Sequence, residues 1–232
     1  MALPQLNTAR YTTVIPSIKK EVSFRPYLVK EEKVLMIALE SNDQKQIIRA
    51  VKDVIKSCVF DEIDVNKLSM FDIEALFLAL RSKSVGEKVD VRLKCTECEH
   101  LTDVHIDLDD IKIPTSDVEN TISLTDSVGL IMRYPAIDDL ADINQEGGVD
   151  EMMKIISKCI DSVYDDDGVY DHNTYTTKEL EDFLDNLNSE QFKKISDFFQ
   201  DLPAITYDAN FNCANCKHNN KIELRGLQSF FT

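Results

Sequence analysis

Cys95-Thr96-Glu97-Cys98 and Cys213-Ala214-Asn215-Cys216 decide the reading of this chain. Each is a Cys-x-x-Cys at the end of an alternating apolar pattern. Val89, Val91 and Leu93 run into the first, and Ile205, Tyr207, Ala209 and Phe211 run into the second. After each pair the alternation returns, in Val104, Ile106 and Leu108 and in Ile222 and Leu224. Period-two alternation on both sides of a tight turn describes a β-hairpin. Two such knuckles offer four thiolates, the set a closed tetrahedral zinc site needs. Cys95, Cys98, Cys213 and Cys216 are therefore the expected metal ligands, and zinc the expected structural ion. Four thiolates leave no open position for water, so such a site holds structure and does no catalysis. His100 and His218 each follow a knuckle by two residues and read as turn residues. A redox dithiol is the competing reading, but neither pair opens a helix after a strand.

Outward from the knuckles the pattern is helical. Lys30 to Glu40 is rich in helix formers, and Ser41-x-x-Gln44 has the form of a capping box before a stripe of Ile47, Val51 and Ile55. Ser69-x-x-Asp72 opens a helix over about Met70 to Lys83, and Thr176-x-x-Glu179 opens another to about Leu187. Further helices are expected at Ala136 to Asn144, at Asp150 to Val163 and after a Ser189 cap. A small hairpin is expected around Asp126 to Gly129. The fold class is α+β, mostly helical, with short β-hairpins carrying zinc knuckles.

The two halves of the chain rhyme. Arg25-Pro26-Tyr27 has a counterpart in Arg133-Tyr134-Pro135, a helix then ends at Cys58 or Cys159, and a strand runs into Cys-x-x-Cys. The expected organisation is an N-terminal arm at 1–20, a first helix and knuckle half at 21–113, a link at 114–120, a second half at 121–225 and a tail at 226–232. An internal duplication accounts for the rhyme.

Composition narrows function. The chain has 232 residues, 43% of them hydrophobic, which suffices for a real core, and a formal charge of −16. That charge disfavours phosphate backbones and anionic membranes and suits a basic protein partner. The longest apolar run, Val34 to Leu39, is far too short to span a bilayer. The N-terminus lacks the pattern of a secretory signal, and reduced thiols fit the cytosol. Asp165-Asp-Asp-Gly168 resembles a calcium loop, but aligning its glycine puts Val163 and Thr174 where acids are required. It reads as a solvated turn. No nucleophile elbow, phosphate loop or His-Glu-x-x-His is present, so no enzyme and no small-molecule substrate are expected.

At Phe24-Arg-Pro-Tyr-Leu-Val-Lys-Glu-Glu-Lys-Val-Leu-Met36, and in the helix that follows, the chain resembles the T4-type bacteriophage baseplate protein family. The resemblance covers the length of the chain. It implies a virion structural component or a baseplate hub assembly factor, made in the host cytoplasm, with other hub proteins as partners. It brings no catalytic residues. The expected function is a structural baseplate hub component, whose surface and termini extend onto neighbours. A transient assembly chaperone, absent from the finished particle, is the alternative.

Overall fold

The structure is a computed structural model that describes residues 7–41, 43–113, 120–141, 148–226 and 229. In chain order the elements are β1 (Tyr11–Ile15), β2 (Lys20–Phe24), α1 (Val29–Glu40), α2 (Gln44–Cys58), α3 (Met70–Ser84), β3 (Lys88–Lys94) and β4 (Leu101–Asp107). A short 3-10 turn at Leu108–Asp110 follows, then β5 (Thr121–Ser123), β6 (Gly129–Met132), α4 (Ile137–Ala141), α5 (Gly148–Cys159), β7 (Ile160–Tyr164) and β8 (Val169–Asp171). The last elements among the described residues are α6 (Thr177–Asp185), α7 (Ser189–Gln200), β9 (Thr206–Asn212) and β10 (Asn219–Arg225). Among the described residues helix exceeds strand, 40% to 28%, and the mixture is compatible with α+β.

Two compact units divide it. One comprises Met1–Ser116 and Ala204–Thr232, the other Asp117–Pro203. The hairpin β9–β10 thus belongs to the same unit as β3–β4, whereas a sequence division at 114–120 groups it with the second half.

In the first unit α3 is the central element. Phe71, Ile73, Ala75, Leu76, Leu78 and Leu80 are all buried, on every side of the helix, as expected of a helix enclosed by others. Its N-terminus is the expected capping box, and the buried Asp72 carboxylate does more than cap. It accepts from Ser69 N at 3.0 Å, and from Ser17 N at 2.8 Å and Ser17 Oγ at 2.6 Å. Ser17 lies in the turn between β1 and β2, so this carboxylate fastens the first hairpin to the central helix. Residues 11–20 are accordingly part of the fold and not an arm. Ile15 is fully buried, and Tyr11 pairs with Phe24 across the hairpin. Residues 1–6 lie outside the described residues, as do 227–228 and 230–232 of the expected tail and 114–119 of the expected link.

Two caps differ from expectation. Ser41 ends α1, its hydroxyl donating to Ala38 O, and Asp43 caps α2 by accepting from Lys45 N at 2.9 Å. Asn188, not Ser189, caps α7 and exchanges bonds with Gln191. Asp and Asn are at least as good as Ser in this role, so adjacent candidates compete closely.

The second unit is a four-stranded antiparallel sheet, β5-β6-β7-β8, packed with α5, α6 and α7. Leu130, Met132, Ile156, Leu184, Ile195 and Phe198 form its core. The expected helix over 150–163 stops at Cys159. Ile160, Val163 and Tyr164 suit a strand, and pairing with both β6 and β8 satisfies that segment's backbone. The expected helix from Ala136 is α4, and its predicted continuation to Asn144 lies outside the described residues.

One local arrangement occurs once in each unit. Arg25 N donates to Cys58 O at 3.0 Å, and Arg133 N donates to Cys159 O at 2.8 Å. One residue outward on each side, Phe24 bridges Val59 and Met132 pairs with Ile160. The guanidinium of Arg25 reaches Glu31, six residues on, at 2.8 Å, and Arg133 reaches Asp139, also six on, at 2.6 Å. Each carboxylate then caps the following helix, Glu31 accepting from Leu28 N and Asp139 from Ala136 N. Arginine, acid and helix start therefore repeat with matched offsets, and the helix-ending cysteine recurs as the arginine's partner at a different spacing, 33 positions on from Arg25 (58 − 25) and 26 on from Arg133 (159 − 133). Both cysteines are fully buried, and burial pushes the Cys58 thiol up to about 11 and the Cys159 thiol up to about 12, so both are packing groups.

Candidate metal centre

The hairpins β3–β4 and β9–β10 are separate two-stranded sheets whose inner faces join one core. Val91, Leu93 and Ile106 from one meet Ala209, Phe211 and Leu224 from the other, with Leu78 of α3 against them. At one end of the pair Lys112 and Thr206 exchange backbone bonds, Lys112 N to Thr206 O at 2.8 Å and Thr206 N to Lys112 O at 3.1 Å. At the other end lie the two knuckles.

The knuckles have the same backbone. Cys95 N donates to His100 O and Glu99 N to Cys95 O; Cys213 N donates to His218 O and Lys217 N to Cys213 O. Glu99 and Lys217 both take left-handed backbone, with φ of 57° and 60°. Those positions usually go to glycine, so the turn geometry costs something and is kept in both copies.

All four thiol sulfurs lie within 4.8 Å of one another. Cys95 Sγ is 3.7 Å from Cys216 Sγ, and Cys98 Sγ is 3.6 Å from Cys213 Sγ. A disulfide bond is about 2.05 Å long, so these are free thiols. An ion bonded to four thiolates at about 2.3 Å puts its sulfurs about 3.8 Å apart, as corners of a tetrahedron. The spacing fits that figure, and the four cysteines form a possible metal site. Among the described residues they are the donors that converge there; the imidazoles of His100 and His218 are not among them.

The surroundings favour thiolate at Cys95 and Cys213. Burial opposes charge on Cys213, but the amides of Cys216 and Asn215 and the neighbouring cysteines outweigh it and bring the thiol down to about 6. At Cys95 burial is likewise outweighed, by the amides of Cys98 and Glu97 and by the Asn220 side chain, and the thiol sits below its ordinary value. At Cys216 the His218 amide favours charge, yet the crowding of Cys98, Cys213 and Cys95 pushes the thiol up to about 12. Four sulfurs this close cannot all ionise without a cation among them.

Two polar residues lock the knuckles together, and knuckle spacing alone does not find them. Asn220 is almost fully buried, and its Oδ1 accepts from Thr96 N at 2.9 Å and from Thr96 Oγ1 at 3.0 Å. Its Nδ2 donates to Cys95 Sγ at 3.5 Å. Across the site Thr102 Oγ1 accepts from Ala214 N at 3.2 Å. Thr102 and Asn220 both stand four residues after the second cysteine of their own knuckle. Thr96 and Ala214 both follow the first cysteine of the other. That shared offset is the signal in the sequence.

The Asp165 loop is a hairpin turn between β7 and β8. Asp165 Oδ1 accepts from Asp167 N at 2.8 Å and Gly168 N at 3.0 Å, which accounts for the acid without an ion. No helix among the described residues is long and apolar enough to cross a membrane.

Paired knuckle hairpins, with a second, sheet-centred unit set between them in sequence, make up the fold around this possible metal site. The chain belongs to the family described as T4 bacteriophage base plate protein, whose model matches residues 8–232. No curated protein and no solved structure matches it.

Proposed function

We propose that this chain is a structural subunit of the hub of a contractile-tail baseplate, incorporated in the virion and bound to other baseplate proteins. The family match over nearly the whole chain carries this reading. One zinc ion, held by Cys95, Cys98, Cys213 and Cys216, joins the two hairpins. The all-sulfur donor set suits zinc, and a tetrahedron filled by protein thiolates does not recruit substrate. The role is accordingly structural, not catalytic. The matched arginine, acid and cysteine arrangements support descent of the two halves from one ancestral unit.

Quantitative mass spectrometry of purified virions tests the placement. A subunit remains in fixed ratio to other baseplate proteins, whereas an assembly chaperone is depleted from finished particles. Metal analysis of anaerobically purified protein tests the site: one zinc per chain is expected, and metal-free folded protein would end that assignment.

A further inference from the structure

The acidity of the chain is not evenly spread. The unit Asp117–Pro203 has 21 Asp and Glu against 6 Lys and Arg, a formal −15, which leaves −1 of the total −16 for the other unit. The near-neutral unit carries an unusual helix pair. Val29, Met36 and Ile37 of α1 are 65%, 56% and 66% exposed, and they recur at i, i+7 and i+8 along one side of that helix. An apolar row of this kind on a water-facing helix marks a contact surface. On the adjoining α2, Lys45, Arg49, Lys52 and Lys56 fall at i, i+4, i+7 and i+11, a basic stripe opposite the buried Val51, Val54 and Ile55.

The acidic unit presents the complementary features. A groove of about 590 Å³ runs between α5 and α6. Met153, Ile155 and Leu184 line it, and its charged border is acidic on balance, with Asp139, Asp150, Glu151, Glu181 and Asp185 against Lys154 and Lys158. We infer that the α1–α2 pair of one copy docks into the α5–α6 groove of a second copy, so that the chain associates head to tail. The apolar row of α1 enters the groove, and the basic stripe of α2 faces its acidic rim. A second copy is the occupant because the acidic, apolar-lined surface that the helix pair calls for is present on the chain itself. Unlike patches meeting in this way can continue from copy to copy, so the contact is open-ended unless a ring closes it. This inference is independent of the metal and of any place in a virion.

Sedimentation velocity of the full-length, metal-replete protein tests it. Dimers and larger species are expected at micromolar concentration in low salt, dissociating as added salt screens the rim. Met36→Glu with Ile37→Glu, and separately Asp150→Lys with Asp185→Lys, should each weaken association by about tenfold or more. All four sites are exposed, so each variant should keep the parent circular dichroism. Lys45→Glu with Arg49→Glu gives a second, charge-only disruption of the helix pair. Mixing the α1 variant with the groove variant should restore a complex that stops at the dimer, since each supplies one intact surface. A wild-type chain that stays monomeric in low salt overturns the inference. So does an α1 variant that associates like the parent, or a mixture that yields no dimer.

Discussion

Asn220 accepts a hydrogen bond from the backbone nitrogen of Thr96 at 2.9 Å, across 124 residues of sequence, from a side chain that is 1% exposed. The same amide donates to Cys95 Sγ, so one side chain ties the knuckles together and steadies a ligand. Asn220→Ala removes the acceptor and leaves the Thr96 amide and the Cys95 sulfur without it. A hydrogen bond is worth about 0.5–1.5 kcal/mol net, so losing two or three of them costs about 1–3 kcal/mol. Chemical denaturation of the metal-loaded protein should show a loss in that range, with metal released at lower denaturant than in the parent.

Cys98→Ser and Cys213→Ser should each abolish stoichiometric metal binding. Structural zinc in small domains is worth on the order of 10 kcal/mol. Much of the first unit should therefore loosen, and chelation of the parent protein should reproduce the effect. Hydrogen exchange is the suitable measurement. Protection should fall in β3, β4, β9 and β10 and persist in β5 to β8, whose core holds none of these cysteines.

The two arginine–carboxylate pairs should differ in worth. Side-chain exposure is 14% at Arg25 and 39% at Arg133. Arg25→Met should cost about 2–3 kcal/mol, because it leaves Glu31, 7% exposed, with Lys30 as its remaining cation, whereas Arg133→Met, at a more exposed guanidinium beside Asp139, should cost about 1–2 kcal/mol. Equilibrium denaturation of the two variants at neutral pH separates these values.

Acid should reach the same pairs. Burial opposes charge on both carboxylates, but the bonds from Arg25 and Arg133 outweigh it and hold Glu31 and Asp139 below their ordinary values of 4.5 and 3.8. A carboxylate held low stabilises the fold above its ordinary pKa and loses that contribution as pH falls through its folded-state pKa. Stability should therefore fall as pH drops below about 4.5, the ordinary glutamate value. Glu31→Gln should flatten that acid limb in a series of melting curves.

Gly129→Ala and Gly168→Ala make a contrasting pair in the second unit. A Cβ at Gly129 would collide with the Tyr164 ring, while one at Gly168 meets nothing within 4 Å. The first should displace Tyr164 at a cost of about 1–3 kcal/mol, the usual range for overpacking. The second should stay within about 0.5 kcal/mol of the parent, as at an open surface site. Thermal melts of both variants check the contrast.

What the sequence disclosed follows the range of the forces involved. The boxes Ser69-x-x-Asp72 and Thr176-x-x-Glu179 act over three residues, and both helices start where those residues say. The knuckle hairpins were readable from alternation, because each strand's partner is its neighbour in sequence. β7 was not, since Ile160 to Tyr164 continues a helical pattern locally and becomes a strand only through pairing with β6 and β8. The first hairpin was hidden by Pro16 and a polar surround, and it depends on Asp72, 55 positions beyond Ser17. At the site the four cysteines were legible from spacing, whereas Asn220 and Thr102 were marked only by their shared offset of four from a knuckle cysteine, which takes on meaning once the opposite knuckle is in place.

The four thiols include Cys98 and Cys213, which are 115 positions apart and yet lie 3.6 Å from one another. Chains emerge from the ribosome N-terminus first, and domains generally fold as units in that order. The first knuckle is thus made long before its counterpart and must wait, with the inner faces of β3 and β4 uncovered, while the whole of Asp117–Pro203 is produced. A chain cut short before residue 213 lacks half the thiols and the strands that bury Val91, Leu93 and Ile106. Closure of the cluster is in this sense a receipt for the stretch between the knuckles, issued once translation has passed the second, and four gathered sulfurs report that everything between them has been made.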